Sequence, residues 1–199
     1  MHRLRNLLLD RDGTVIREKP YLSNPEKVEL LPQSASTLRS LTEQGFRLFL
    51  VTNQSGIGRG YFTAEEYYKV QKRLNSLLAE QGVHFASSLH CPHSPEEDCD
   101  CRKPRTGMWK QLQREFGLRE EESIIIGDTL TDVEFGRKAG LRACVLVLTG
   151  FGTNQALEFG IPLPNYSWRE INLASSSICP DITARDLAGV HSWIMTRCG

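Results

Sequence analysis

The sequence has no excess of charge of either sign, because 24 Lys and Arg residues balance 24 Asp and Glu residues. Nucleic-acid binding relies on clustered cations that neutralise phosphates, and no long basic run is present. Long hydrophobic runs are also lacking: the apolar run Leu7–Leu9, which follows the basic stretch Met1–Arg5, ends at Asp10. That run is far too short for a signal-peptide core or a membrane span. We therefore expect a cytoplasmic protein with neither a nucleic-acid nor a membrane partner.

Internal repeats and low-complexity segments are absent as well, which argues against a repeat array. The 199 residues, of which 40% are hydrophobic, suffice for one domain with a sizeable core. We expect a single domain over residues 1–199 that acts as a monomer on a small substrate.

Three of the six cysteines lie in one short stretch together with a histidine. Cys91 and His93, followed by Cys99 and Cys101, place three thiols and one imidazole within eleven residues. Four such ligands are what a closed tetrahedral zinc site requires, so the clustering favours a metal over disulfides. His90 is a competing imidazole that we expect to pack or to face solvent, and reduced, unligated cysteines are the alternative to the metal site. The sequence predicts a loop over residues 91–101 that is stabilised by Zn²⁺.

Apolar strand-like runs alternate with helical patterns along the chain. The predicted strands are Leu7–Asp10, Phe46–Thr52, Ser87–Cys91, Ser123–Gly127 and Cys144–Leu148. The predicted helices are Gln33–Gln44, Thr63–Gln81, Thr106–Phe116, Asp132–Ala139 and Asp181–Met195. This alternation predicts an α/β fold with a Rossmann-like, doubly wound parallel sheet and helices on both faces. Residues 151–180 are interpreted as mostly loop, within an irregular C-terminal extension over about 151–199.

Two carboxylates lie at the carboxyl end of the first predicted strand. Asp10 and Asp12 are two residues apart, so their side chains share a face of extended backbone, and Gly13 allows a tight turn after them. Carboxylates this close repel each other unless a proton or a cation intervenes, and Mg²⁺ prefers oxygen ligands. An ordinary strand-to-loop turn is the alternative. The pattern favours a magnesium-dependent catalytic site at the carboxyl end of the strand, where doubly wound sheets bind ligands.

Two further strands end in groups that suit phosphate or metal. After the second predicted strand come Thr52, Asn53, Gln54, Ser55 and Gly56. Their hydroxyls, side-chain amides and a backbone that glycine leaves accessible suit a phosphate oxyanion. An ordinary polar loop is the alternative. Asp128 directly follows an apolar strand and is a further candidate metal ligand. Asp132, four residues later, is expected to brace the site or to cap a helix.

Arg102-Lys103-Pro104 ends the predicted zinc loop. A metal that immobilises a loop ending in two cations makes sense if those cations meet an anionic substrate with little reorganisation. We expect Lys103 to contact a phosphoryl group and Arg102 to contact a second anionic or hydroxyl-bearing part of the substrate. Two solvated surface charges are the alternative.

These motifs, in this order, resemble those of the haloacid dehalogenase superfamily of phosphatases. The resemblance covers about residues 5 to 150 and predicts no large cap domain. It is carried by Asp10-x-Asp12-Gly13-Thr14, Thr52, Lys103 and Gly127-Asp128-x3-Asp132. A narrower resemblance, to D-glycero-D-manno-heptose 1,7-bisphosphate phosphatases, is carried by Val51–Gly60, the cysteine and histidine loop and Cys101–Pro104. The histidinol-phosphate phosphatases are close relatives of these enzymes.

The resemblance implies a covalent mechanism. Asp10 would attack phosphorus and form an aspartyl-phosphate, and Asp12 would act as general acid and base. Mg²⁺ would be held by the Asp10 and Asp128 carboxylates and the Asp12 backbone carbonyl, while Thr52 and Lys103 clamp the transferring group. The implied substrate contacts are Glu18, Lys19, Pro20, Tyr21, Thr52, Asn53, Gln54, Ser55, Arg102 and Lys103.

The resemblance leaves several substrates open. We favour a sugar bisphosphate in precursor synthesis for lipopolysaccharide or nucleotide-activated heptose, because Ser55–Thr63 and Tyr21-Leu22 are similar to the heptose enzymes. The alternatives are a histidinol-phosphate phosphatase of histidine biosynthesis and a non-catalytic, zinc-stabilised binding module. A nucleic-acid 3′-phosphatase is disfavoured by the zero net charge. Thr129 stands where many relatives carry Lys, which removes one cation from the expected phosphate pocket.

Overall fold

The computed structural model describes residues 3–171 and 178–198, so the serine run Ser175–Ser177 lies outside the described residues. The strands in these ranges are β1 (Asn6–Leu9), β2 (Arg47–Asn53), β3 (Ser87–Cys91), β4 (Ser123–Gly127), β5 (Ala143–Val147), β6 (Trp168–Glu170) and β7 (Ile182–Ala184). They form one sheet in the order β3-β2-β1-β4-β5-β7-β6. All neighbouring strands are parallel except β6, which pairs antiparallel with β7. The predicted parallel sheet is confirmed and is extended by two short strands at one edge.

Helices cover both faces of this sheet. In the described ranges they are α1 (Ser34–Glu43), α2 (Ser55–Gly58), α3 (Ala64–Ala79), α4 (Gly107–Phe116), α5 (Leu130–Lys138), α6 (Gly152–Glu158) and α7 (Leu187–Cys198). Successive strand residues point to opposite faces. Leu7 and Leu9 of β1 therefore pack in one apolar cluster with α1, α3 and α7, and Leu8 packs in the other with α4, α5 and α6. Full burial of β1 is typical of a parallel strand covered on both sides.

Helix α3 begins where the sequence predicts it. Thr63 Oγ1 accepts a hydrogen bond from the Glu66 N–H at 3.2 Å, and Glu66 Oε2 accepts one from the Thr63 N–H at 2.7 Å. This capping box satisfies two backbone donors that the first helical turn leaves without partners. The four predicted helices between residues 33 and 139 are all present, with ends shifted by at most two residues.

In the part that the structure describes, residues 151–180 are mostly loop, as predicted, but they also contain two short regular elements. Helix α6 occupies Gly152–Glu158, and the edge strand β6 occupies Trp168–Glu170. Both elements are short: α6 has seven residues and β6 has three. Both are shorter than the windows of about 11–18 residues in which a hydrophobic periodicity is recognised in a sequence. Strands β6 and β7 extend the central sheet, and α7 packs in the same apolar cluster as Leu7 and Leu9 of β1.

The predicted helix over Asp181–Met195 is wrong in its first part. Ile182–Ala184 is strand β7, which pairs in register with Val145–Val147 of β5 and is buried. The chain then turns at Asp186, whose Oδ1 accepts a hydrogen bond from the Gly189 N–H at 2.9 Å at the start of α7. Burial of β-branched residues beside a central strand explains why this segment is extended.

The carboxyl ends of β1, β2 and β4 meet at one edge of the sheet. The order of connections reverses between β1 and β4, and open α/β sheets bind ligands at such a point. Within residues 3–171 and 178–198 the segments between these strands contain no second sheet, in agreement with the expectation of no large cap domain. No helix in the same ranges combines the length and the apolar composition needed to cross a bilayer.

Candidate active site

A cavity of about 620 Å³ opens at the carboxyl ends of β1, β2 and β4. It brings together the predicted magnesium, phosphate and substrate residues, which come from segments far apart in the sequence. Among the residues that line it are Asp10, Asp12, Glu18, Lys19, Pro20, Tyr21, Thr52, Asn53, Gln54, Ser55, Arg102, Lys103, Asp128 and Asp132. A cavity of this volume is typical of small-molecule sites.

Asp10 directly follows β1 and is 8% exposed. Its Oδ1 accepts a hydrogen bond of 2.6 Å from Lys103 Nζ. Burial raises the pKa of Asp10 to about 7, with further contributions from the negative charges of Asp132 and Asp12, although the Lys103 ammonium opposes the shift. Asp10 therefore lies in a group of carboxylates whose negative charge one ammonium does not offset.

Asp128 directly follows β4 and is almost completely buried. Carboxylate oxygens of Asp10, Asp128 and Asp132 lie within 4.8 Å of one another. Burial, and then the charges of Asp10 and Asp132, raise the pKa of Asp128 to about 9. The Phe151 N–H donates a hydrogen bond of 2.8 Å to Asp128 Oδ2 and partly opposes this shift. The cluster fits a hard divalent cation, which takes carboxylate oxygens and would offset their repulsion.

Two glycines allow the backbone to approach Asp128 closely. A Cβ at Gly13 would lie 2.1 Å from Asp128 Oδ2, and one at Gly150 would lie 2.0 Å from the same atom. Both glycines also have positive φ angles, +76° and +52°, which side-chain-bearing residues rarely adopt. Thr149 links the two segments, because its Oγ1 donates a hydrogen bond of 2.5 Å to the Gly13 carbonyl. The segment after β5 is thus part of the site, and our sequence analysis missed it.

Lys103 is 3% exposed, and its ammonium is bonded to three oxygens. Nζ lies 2.6 Å from Asp10 Oδ1, 2.5 Å from Asp132 Oδ1 and 2.7 Å from the Val51 carbonyl. Burial by itself lowers the pKa of a lysine, but attraction to Asp10 and Asp132 keeps the pKa of Lys103 above its usual value. A permanently charged ammonium is therefore held directly beside Asp10.

Asp132 both braces the site and caps a helix, the two roles between which the sequence did not decide. Its Oδ1 bonds the Lys103 ammonium, while its Oδ2 accepts hydrogen bonds from Thr129 Oγ1 at 2.6 Å and the Thr129 N–H at 3.2 Å. These bonds form a capping box at the start of α5. Thr129 is thereby engaged in orienting Asp132.

Asn53 lines the cavity, but its side chain bonds the protein backbone. Nδ2 donates to the Lys103 carbonyl at 3.0 Å, and Oδ1 accepts from the Lys103 N–H at 3.0 Å. The amide pairs with both backbone polar groups of Lys103 in the way that a neighbouring strand would. This pair of bonds fixes the loop that carries Lys103 to the end of β2.

Gln54 also bonds protein groups beside the cavity. Its Nε2 donates to Thr52 Oγ1 at 3.0 Å and to Asp12 Oδ2 at 2.9 Å, and its Oε1 accepts from Arg11 Nη2 at 3.0 Å. Thr52 is buried at the cavity wall, and Ser55 begins the short helix α2. The predicted phosphate segment therefore supplies internal hydrogen bonds as well as lining groups.

The predicted substrate loop supplies part of the cavity wall. Burial, followed by the negative charges of Asp12 and Asp10, raises the pKa of Glu18 to about 7. Lys19 is half-buried, and its ammonium lies 2.5 Å from Glu29 Oε1 within the same loop. The loop thus brings a carboxyl group with a raised pKa to the site and holds its lysine by internal contacts.

Exposed side chains surround the opening of the cavity. Pro20 and Tyr21 are exposed, and the Tyr21 ring packs edge-on against Tyr61 with centroids 4.5 Å apart. Arg102 is half-buried, and its Nη1 donates a long hydrogen bond of 3.4 Å to the His93 carbonyl. Arg102 therefore connects the cavity to the cysteine and histidine loop.

The four predicted zinc ligands face one another. The Cys91 and Cys99 Sγ atoms are 3.6 Å apart, and those of Cys101 and Cys99 are 3.7 Å apart. His93 Nδ1 lies 3.6 Å from Cys91 Sγ and 3.3 Å from Cys101 Sγ. A tetrahedron with Zn–S bonds of about 2.3 Å has sulfurs about 3.8 Å apart, so this donor set fits a closed zinc site. Cys91 is the last residue of β3 and joins the cluster to the sheet.

Arg11 is a candidate that our sequence analysis did not single out. It is 1% exposed, and both Nε and Nη2 lie 3.0 Å from Asp12 Oδ2. Its guanidinium carbon lies 5.3 Å from the centroid of the Tyr67 ring, and that ring stacks on His90 at 4.0 Å. His90 therefore packs, as expected. The only sequence signal for Arg11 is its place between the two aspartates.

Comparison with known proteins agrees with this arrangement. Residues 100–172 match the HAD-hydrolase-like family model. The D-glycero-beta-D-manno-heptose-1,7-bisphosphate 7-phosphatase of Haemophilus influenzae is 38% identical over 150 residues, which are 72% of this chain and 82% of that protein. The chain belongs to the D-glycero-D-manno-heptose-1,7-bisphosphate 7-phosphatase family of HAD-like hydrolases. It is therefore a phosphatase.

Other members of the heptose-1,7-bisphosphate 7-phosphatase family cover most of the chain. The D-glycero-alpha-D-manno-heptose-1,7-bisphosphate 7-phosphatase of Photorhabdus laumondii is 33% identical over 167 residues, 80% of this chain and 91% of that protein. The solved D,D-heptose 1,7-bisphosphate phosphatase of B. bronchiseptica, complexed with magnesium and phosphate, has a TM-score of 0.82 and 27% identity. That match covers 98% of this chain and 99% of the solved chain. The resemblance drawn from the motifs is confirmed at the level of family and fold.

Proposed function

We propose that this phosphatase removes the 7-phosphate of D-glycero-D-manno-heptose 1,7-bisphosphate through a magnesium-dependent aspartyl-phosphate mechanism. The observation that carries the proposal is the convergence of Asp10, Asp12, Asp128 and the buried Lys103 in one cavity. The names of relatives at 33% and 38% identity support the choice of substrate.

The donor set of this cavity fits Mg²⁺. The Asp10 and Asp128 carboxylates and the Asp12 backbone carbonyl would hold the ion. The raised pKa values of Asp10 and Asp128 identify carboxylates whose negative charge lacks a sufficient partner. When bound, Mg²⁺ neutralises charge on the phosphoryl oxygens.

Asp10 acts as the nucleophile in the first step. One of its carboxylate oxygens forms a bond to phosphorus while the bond from phosphorus to the sugar oxygen breaks. Asp12 gives its proton to that oxygen, so the sugar leaves as a neutral alcohol. Thr52 donates a hydrogen bond to the transferring group, and Lys103 turns to it the N–H that bonds Asp10 in the free enzyme, while Asp132 and the Val51 carbonyl keep the ammonium in place.

Asp12 acts as a base in the second step. It accepts a proton from a water molecule whose oxygen bonds to phosphorus while the bond from phosphorus to Asp10 breaks. Inorganic phosphate leaves, and both aspartates return to their starting states. Asp12 must therefore reach the sugar oxygen in the first step and the water in the second.

The cysteine and histidine cluster would hold a structural Zn²⁺. Its four ligands complete a tetrahedral coordination and leave no position for substrate. The same loop carries Arg102 and Lys103, so zinc would immobilise both cations at the cavity. Arg102, at the opening, would contact the phosphate that stays on the sugar, and residues Glu18–Tyr21 and Ser55 would contact the sugar itself.

Parallel kinetics on both anomers of heptose bisphosphate, histidinol phosphate and a phosphorylated oligonucleotide test this function. We expect kcat/KM to be highest for one heptose bisphosphate anomer, and Asp10→Asn to abolish its turnover. A higher kcat/KM for histidinol phosphate would assign the chain to histidine biosynthesis. Lack of turnover by protein loaded with Mg²⁺ and Zn²⁺ on every substrate would favour a non-catalytic binding module.

A further inference from the structure

The two oxygens of the Asp12 carboxylate have different surroundings. Oδ2 is contacted by three donors: Arg11 Nε at 3.0 Å, Arg11 Nη2 at 3.0 Å and Gln54 Nε2 at 2.9 Å. Among the described residues, Oδ1 has one longer hydrogen bond, of 3.3 Å, from Arg11 Nη2. Because the carboxylate is 17% exposed and lines the cavity, Oδ1 is the oxygen that remains available there.

The group that holds Oδ2 is itself fixed. Arg11 Nη2 also donates to Gln54 Oε1 at 3.0 Å, so Arg11, Gln54 and Asp12 close a ring of hydrogen bonds. The buried Tyr67 ring lies 5.3 Å from the guanidinium carbon and is backed by His90. A planar guanidinium that is bonded in its plane and packed against an aromatic ring has little freedom to turn.

A purely structural role does not explain a buried arginine at this position. The side chain is 1% exposed, and Nη1 has no hydrogen-bond partner among the residues that the structure describes. Burying a charged group while one of its donors has no partner is unfavourable. The position therefore favours a function for the guanidinium.

We propose that Arg11 is a positioning residue for Asp12: it anchors Oδ2 and leaves Oδ1 to give and take the proton. This inference rests on the proposed function, in which Asp12 protonates the sugar oxygen and later accepts a proton from water. A carboxylate free to rotate would not keep either oxygen directed at the reacting groups. Displacement of a catalytic group by 1 Å lowers rates by about a hundredfold.

The test compares two leaving groups. A sugar alkoxide needs a proton as it leaves, whereas 4-nitrophenolate is stable enough to leave without one. Misplacing the general acid should therefore lower kcat/KM for heptose bisphosphate much more than for 4-nitrophenyl phosphate. Because kcat/KM reports the steps up to release of the first product, later hydrolysis of the aspartyl-phosphate does not affect the comparison.

Arg11→Met removes the guanidinium and keeps the apolar volume. We expect kcat/KM to fall about a hundredfold for heptose bisphosphate and less than about threefold for 4-nitrophenyl phosphate. Arg11→Lys keeps the charge but not the planar fork, so it should recover less than about tenfold of that loss. Arg137→Met is the matched control: Arg137 also pairs with a carboxylate, that of Asp181 at 2.8 Å, and its loss should leave both rates unchanged.

Asp12→Asn separates failure of this inference from failure of the proposed function. If Asp12→Asn slows heptose bisphosphate far more than the aryl phosphate, the double variant Arg11→Met/Asp12→Asn should be no slower than Asp12→Asn alone. A further loss in the double variant, or equal losses on both substrates for Arg11→Met, would overturn the positioning role and leave the proposed function intact. Equal losses on both substrates for Asp12→Asn would refute the acid role itself, and the inference with it.

Discussion

Replacing Asn53 by Asp should slow catalysis although the side chain keeps its shape. In the native protein, Nδ2 donates to the Lys103 carbonyl and Oδ1 accepts from the Lys103 N–H, both at 3.0 Å. An aspartate keeps the acceptor but places a carboxylate oxygen against the Lys103 carbonyl, so one hydrogen bond becomes a repulsion. Asn53→Ala removes both hydrogen bonds without adding charge.

The expected magnitude follows from these two bonds. A hydrogen bond contributes about 0.5–1.5 kcal/mol net, so Asn53→Ala loses about 1–3 kcal/mol of the interactions that hold the Lys103 backbone. If that whole loss falls on the transition state, kcat decreases about 5- to 150-fold. Asn53→Asp should lower kcat at least as far, because it adds repulsion to the lost bond.

The assay measures kcat and KM together with hydrogen exchange at the Lys103 amide, which donates to Asn53 Oδ1. We expect a lower kcat, a nearly unchanged KM and faster exchange. Asn154→Asp, at an exposed position of α6, is the matched control and should change none of these. A raised KM with an unchanged kcat and a protected Lys103 amide would refute the reasoning and support a direct contact between Asn53 and phosphate.

Three further predictions concern the two basic side chains of the site, the zinc ion and the magnesium ion. Lys103→Ala should lower turnover of heptose bisphosphate and of an aryl phosphate alike, whereas Arg102→Ala should lower kcat/KM about ten- to a hundredfold for the bisphosphate alone. Equal losses for Arg102→Ala would assign that residue to the chemistry or the loop fold. Cys99→Ser should lose zinc in metal analysis and reduce activity by loosening the loop, and a folded, active wild type without zinc would contradict this. Burial raises the pKa of Asp10 to about 7 and the pKa of Asp128 to about 9. The folded, metal-free protein therefore keeps protons on these carboxyl groups that the unfolded chain releases. Its free energy of unfolding decreases as the pH rises through these two pKa values. Mg²⁺ should therefore raise Tm more at pH 8 than at pH 6; an equal or smaller rise at pH 8 would contradict the assignment.

The central elements of the fold could be predicted because their signals are local. β4 contains the continuous apolar run Ile124–Ile126, which is typical of a parallel strand buried on both faces. Helix α3 begins at a capping box formed by residues three apart, and the zinc ligands lie within eleven residues. The elements that we missed, α6, β6 and β7, are shorter than the windows of about 11–18 residues in which periodicity is recognised, and β7 is extended because it pairs with β5.

Local patterns were thus enough to identify the carboxylates that follow strands, the four ligands able to share one metal and the family resemblance. They did not reveal which partners the polar side chains take in the folded protein. Asn53 bonds Lys103, fifty residues away, and Arg11 bonds Gln54, 43 residues away. These bonds form because strand order brings β1, β2 and the zinc loop to one edge of the sheet. Burial there then requires each polar group to find a partner. Residue spacing along the chain contains no information about such pairings, so the folded arrangement was needed to identify the residues that position Lys103 and Asp12.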